Sequence, residues 1–136
     1  MPSLSTARHG TAGAILNGKL YIIGGELSGD LDSVEIYDPS TNLWSAGTSL
    51  PFAYRHGKAI PWNGKILIFG GYVGNTSSQI SDVREYDPST NNWVSKASMN
   101  TARHGHHIAL HDNKVWVLGG RSPNTDYLDT VEIYDP

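Results

Sequence analysis

The sequence predicts an all-β fold made of about three copies of one four-stranded antiparallel unit. Two observations carry this: a fixed internal period, and the same order of strand and turn signals inside each period. Arg-His-Gly begins at Arg8, Arg55 and Arg103, spaced by 47 and 48 residues. Gly-Gly begins at Gly24, Gly70 and Gly119, spaced by 46 and 49. Tyr-Asp-Pro begins at Tyr37, Tyr86 and Tyr134, spaced by 49 and 48, and Trp44 and Trp93 each follow their tyrosine by 7. A repeat of 40 to 50 residues points to stacked supersecondary units. All four markers are read in one register, so Arg8, Arg55 and Arg103 share one repeat position and His9, His56 and His104 the next.

The first strand of each unit follows Arg-His-Gly and ends at Asn17-Gly18, Asn63-Gly64 or Asp112-Asn113. Asn-Gly suits a type I′ hairpin turn because both central residues need positive φ; Asp-Asn suits it less well. The second strand reads KLYII, KILIF and KVWVL from Lys19, Lys65 and Lys114. These runs are apolar on consecutive residues, which predicts burial on both faces. The pairs Gly24-Gly25, Gly70-Gly71 and Gly119-Gly120 end this strand where a Cβ would crowd the backbone or φ must be positive.

The third strand starts at Val34, Val83 or Val131, and the alternation of Glu35 and Glu132 with apolar neighbours predicts a strand nearer solvent. Asp38, Asp87 and Asp135 each precede proline, and that pattern is turn chemistry rather than a ring of acids. The fourth strand carries Trp44 or Trp93 and is missing from the third copy, which stops at Pro136. The predicted units span about 5–49, 52–98 and 101–136.

The chain has 136 residues, 38% of them hydrophobic and 17% charged, as expected of one folded domain. A net charge of −3 offers no basic field for nucleic acid or an anionic lipid surface. No apolar run approaches a membrane span, and no address within the cell is legible. The absence of cysteine removes disulfides, thiolate metal sites and a cysteine nucleophile. His104, His106, His107 and His111 cluster without supporting metal-ligand spacing, so no metal site and no cofactor are assigned.

A four-stranded unit cannot bury both faces alone, so copies must stack, and radial stacking gives a β-propeller. The set Arg-His-Gly, Asn-Gly-Lys, Gly-Gly, Tyr-Asp-Pro-Ser-Thr-Asn and Trp resembles the kelch repeat over essentially the whole chain. The resemblance implies a partial propeller whose Tyr37, Tyr86, Tyr134, Trp44 and Trp93 pack between blades. Arg8, Arg55 and Arg103 are assigned to structure, binding backbone carbonyls between blades. Three blades, the last incomplete, leave apolar faces uncovered. The chain is therefore expected to belong to a longer propeller of about six blades or else to self-associate.

Function is sought where the copies disagree, in the loops at 26–32, 72–81 and 121–128. By the kelch resemblance these loops build a face that binds a protein partner. Glu26, Tyr72 and Arg121, directly after Gly-Gly, are the leading contact candidates, joined by Asn75, Asn124 and Asp126. The alternative is a carbohydrate-binding or sugar-processing, epimerase-like propeller. The copper oxidases of this type need a cysteine-modified tyrosine, which this chain lacks.

Overall fold

The structure, a computed structural model, describes residues 2–124 and 126–136. The first sheet has strand order β1–β2–β3–β4, from β1 (Ala12–Leu16), β2 (Lys19–Ile23), β3 (Val34–Asp38) and β4 (Leu43–Gly47). The second is built from β5 (Lys58–Trp62), β6 (Lys65–Phe69), β9 (Val83–Asp87) and β10 (Asn92–Ser95) in the same spatial order. The third contains β11 (His107–His111), β12 (Lys114–Leu118) and β13 (Val131–Tyr134). A small hairpin, β7 (Tyr72–Val73) with β8 (Ser78–Gln79), stiffens what the sequence reads as an open loop. All pairings are antiparallel, and the innermost strands β1, β5 and β11 lie side by side. The chain is three blades of a β-propeller, the third with three strands.

The turns have the predicted geometry. Asn17 and Gly18 hold φ of 50° and 76°, and Asn63 and Gly64 hold 44° and 75°. Asp112 and Asn113 adopt the same pair of positive angles, 48° and 61°. Asp38 Oδ1 accepts the Ser40 amide at 2.9 Å and Asp87 Oδ1 the Ser89 amide at 2.8 Å. Asn42 and Asn91, both at positive φ, accept the hydroxyls of Tyr37 at 2.8 Å and Tyr86 at 2.7 Å. The third-strand tyrosine is thereby tied to the next turn.

Two cores fill the spaces between sheets. Ala12, Ala14, Tyr21 and Ile23 of the first sheet meet Ile66, Ile68 and Tyr86 of the second. Leu67, Phe69 and Val83 on the other face of the second sheet meet Val115, Val117 and Tyr134. The aromatic rings sit in these seams: Tyr86 lies 5.9 Å from Tyr21, and Tyr134 meets Phe69 edge-on at 5.1 Å. Trp93 packs against Tyr86 with the rings tilted and donates to Thr48 O of the preceding blade at 2.9 Å. Tyr37 and Trp44, expected between blades, lie outside both interblade cores: their rings meet tilted with centroids 5.2 Å apart, and Trp44 donates to Pro2 O at 3.0 Å.

Burial on both faces, expected of every second strand, holds only for β6, whose Ile66, Leu67, Ile68 and Phe69 are all buried. β2 and β12 bury one face, because only the middle sheet has a sheet on each side. Val131 and Ile133 on the far side of the third sheet are about half exposed. The third strand is also less solvated than its alternation suggested. Glu35 and Glu85 are both buried, Glu35 against Arg8 and Glu85 against Lys65 and Lys96.

The single register read from the sequence needs one correction. The residue after each Gly-Gly pair exchanges two backbone hydrogen bonds with the segment ahead of the inner strand: Glu26 with His9, Tyr72 with Arg55, Arg121 with His104. Arg55 therefore occupies the place of His9 and His104, and Tyr54 the place of Arg8 and Arg103. The middle Arg-His-Gly is displaced by one residue. Positive φ marks the same shift, since it falls at Gly10 (64°), His56 (56°) and Gly105 (63°).

The displacement divides the three arginines by role. The Arg8 side chain is 1% exposed and donates to Gly24 O, Ser33 O and Glu35. Arg103, also 1% exposed, donates to Gly119 O and Thr130 O and faces Glu132 at 3.6 Å. Both brace their own blade rather than bridging two. In the middle blade Tyr54 fills the slot, fully buried against Gly24, Gly57 and Gly71, where an added Cβ would come within 2.6 Å of its ring. Arg84 replaces the glutamate there, stacks on Phe52 at 4.8 Å and pairs with Asp82. Arg55 is released to the loop face.

Candidate functional site

Loops joining second to third strands emerge along one edge of the three sheets. The paired backbone bonds just described put Glu26, Tyr72 and Arg121 at equivalent points of that edge, beside His9, Arg55 and His104. Arg55 is the link between the first two blades. Its Nη1 lies 2.8 Å from Glu26 Oε2 and also donates to Asp30 Oδ1, while its guanidinium stacks 4.6 Å above the Tyr72 ring. Asp30 Oδ2 accepts the Gly74 amide, tying the first loop to the second.

Between these loops opens a cleft of ≈ 520 Å³ lined by Asp30, Arg55, Tyr72, Gly74, Asn75 and Ser77. Beyond Tyr72 the row continues to His104, whose ring stands 5.7 Å away, and then to Arg121. Burial, together with the nearby His56, Arg121 and Arg55 charges, holds His104 below the usual histidine pKa. Arg121 is about half exposed, pairs with Asp126 at 3.3 Å and stacks 5.3 Å over Tyr127, itself 80% exposed. Asn124 is exposed on the same loop.

Of the six sequence candidates, Tyr72 and Asn75 line the cleft, Glu26 is bonded to Arg55 at its rim, and Arg121, Asn124 and Asp126 lie on the third loop. Asp30 and Tyr127 stand on the same edge, inside the loops 26–32 and 121–128 that the sequence singles out but not among the six residues named there, and Arg55, assigned to structure by the sequence, joins them. Arg55 was hidden by the assumption of a single register. Its signal was the 47 and 48 spacing of Arg-His-Gly against 46 and 49 for Gly-Gly. The carboxylates here are held by a guanidinium, and the remaining groups offer stacking and hydrogen bonds. Such a surface is equipped to bind.

A family model described as the KLHDC2/KLHL20/DRC7 Kelch-repeats domain matches residues 9–136. Kelch-like protein 21 of Homo sapiens is 37% identical over 83 residues, 57% of this chain and 12% of that protein. The F-box/kelch-repeat protein At1g22040 of Arabidopsis thaliana is 41% identical over 56 residues, 38% of this chain and 12% of its own length. Kelch domain-containing protein SSO1033 of Saccharolobus solfataricus is 38% identical over 72 residues, 53% of this chain and 9% of that protein. The chain thus spans about a tenth of the length of these relatives. The repeat markers, the blade architecture and the match over residues 9–136 agree, and the chain belongs to the kelch-repeat family.

Proposed function

We propose that this propeller segment binds a protein partner through the loop edge centred on Arg55 and Tyr72, without catalysing a reaction. One observation carries the reading: three loops that differ in sequence and length converge on a single connected row, Glu26 ion-paired to Arg55, Arg55 stacked on Tyr72, Tyr72 edge-on to His104 and His104 backbone-paired with Arg121, with the cleft alongside. Aromatic and arginine side chains contribute most to protein interfaces, because they bury large area and keep a polar handle. The rigid sheets beneath remove much of the ordering cost that a mobile surface would incur on binding. Membership of the kelch family supports a binding role.

Selection of displayed peptides against the immobilised protein, run beside a glycan array, tests this reading. Enrichment of peptides competed off by soluble protein is the expected result. Glycan binding with no peptide enrichment would replace the protein-binding reading by the carbohydrate one.

A further inference from the structure

We propose that the loop edge also carries a metal site for a divalent transition ion of the zinc class, formed by His9, Glu26 and His56. This goes beyond the partner-binding reading and rests on different groups from Tyr72 and Arg121. His9 Nε2 lies 3.4 Å and His56 Nε2 3.6 Å from the same oxygen, Glu26 Oε1, and the three donor atoms fall within 4.8 Å of one another. A tetrahedral ion bound at about 2.1 Å needs ligand atoms roughly 3.4 Å apart. The two imidazole-to-carboxylate separations already match. Closing the third requires only a turn of the His9 side chain, which is 71% exposed.

The ligands stand on fixed backbone. His9 and Glu26 exchange two backbone hydrogen bonds, and the His56 amide donates to Gly10 O at 2.7 Å. Arg55 occupies the other carboxylate oxygen, Oε2, and so orients Oε1 toward the imidazoles, as outer-shell partners of metal ligands commonly do. Glu26 and Asp30 against Arg55 leave one net negative charge for the cation.

The backbone at His56 supplies an independent argument. The equivalent residues of the other blades are glycines at φ of 64° and 63°, whereas His56 holds 56° with a full side chain. A non-glycine residue in that region is uncommon and costs free energy, and such strain gathers at functional positions. The ring lies against Gly10, where any Cβ would come within 2.8 Å of His56 Cε1. The one-residue displacement of the middle repeat is what delivers an imidazole to this spot. The ligand set is two nitrogens and one oxygen with a position open to solvent, a combination that suits zinc.

Titration of the purified protein with zinc chloride by calorimetry, with cobalt(II) absorption as a second readout, tests the site. One ion per chain and the visible spectrum of a tetrahedral ion are expected. His9→Gln, Glu26→Gln and His56→Asn should each weaken binding about tenfold or more. Asparagine tolerates positive φ, and a normal thermal melt would show that His56→Asn still folds. His111→Gln, distant on β11, should change nothing. No binding by the unaltered protein, binding that survives His56→Asn in a folded protein, or binding lost on His111→Gln would each overturn the proposal.

Discussion

Arg8 Nη2 lies 2.6 Å from Glu35 Oε1 with both side chains almost wholly out of water. Burial pushes the Glu35 carboxyl up, but hydrogen bonds from Ser5, the Arg8 charge and the Thr6 amide together hold it below its ordinary value. Breaking a buried pair strands the remaining charge. Glu35→Ala is therefore expected to cost about 3 kcal/mol in urea unfolding. A loss under about 1 kcal/mol would mean that the pair is as weak as a surface bridge.

The middle blade replaces this pair by Tyr54 and Arg84, which makes a double-mutant cycle informative. Tyr54→Arg alone places a guanidinium opposite Arg84 and should destabilise the fold. Arg84→Glu added to it recreates the arrangement of Arg8 with Glu35. The pair should show favourable coupling of about 1–3 kcal/mol by chemical denaturation. Additive effects would refute the one-residue displacement.

That displacement marks the boundary of what the sequence discloses. Strands, hairpin turns and blade order follow from local rules, because Asn-Gly, Gly-Gly and Asp-Pro constrain φ wherever they occur. The variable loops were legible as a face because their lengths change while the strands keep register. What pairs across thirty residues was not legible. Glu35 reads as a solvent-facing strand residue until Arg8 arrives to hold it in the interior, and Arg55 reads as a copy of Arg8 until the backbone bonds of Tyr72 are known. The approach of His9, Glu26 and His56 depends on that same tertiary pairing.

Gly70 has φ of 54°, and an added Cβ would sit 2.4 Å from Arg103 O. Gly70→Val should lower stability by more than about 2 kcal/mol, from positive φ and from the clash. Ala109→Val, on an exposed strand position, should leave it near the wild-type value. Equal melting temperatures for the two variants would contradict the backbone argument.

His106 is fully buried and neither ring nitrogen has a partner among the described residues. Burial, reinforced by the charges of Arg103, Lys58, His104 and His107, pushes its pKa down to about 3. The unfolded chain then binds a proton that the folded one refuses. Stability should fall as pH drops from about 6.5 toward 3, by up to about 1.4 kcal/mol per unit. His106→Leu should flatten that slope in melts taken across the range, and an unchanged slope would assign the acid sensitivity elsewhere.

Calorimetric titration of a selected peptide into wild-type protein, Tyr72→Ala/Arg121→Ala, and Thr90→Arg on the opposite edge locates the binding surface. The loop-edge double variant should bind thirtyfold or more weakly, about 2 kcal/mol, with an unchanged melting temperature. Thr90→Arg should bind normally. Unaltered affinity in the double variant, with binding lost on Thr90→Arg, would place the interface on the other edge of the blades and refute binding through the Arg55–Tyr72 edge.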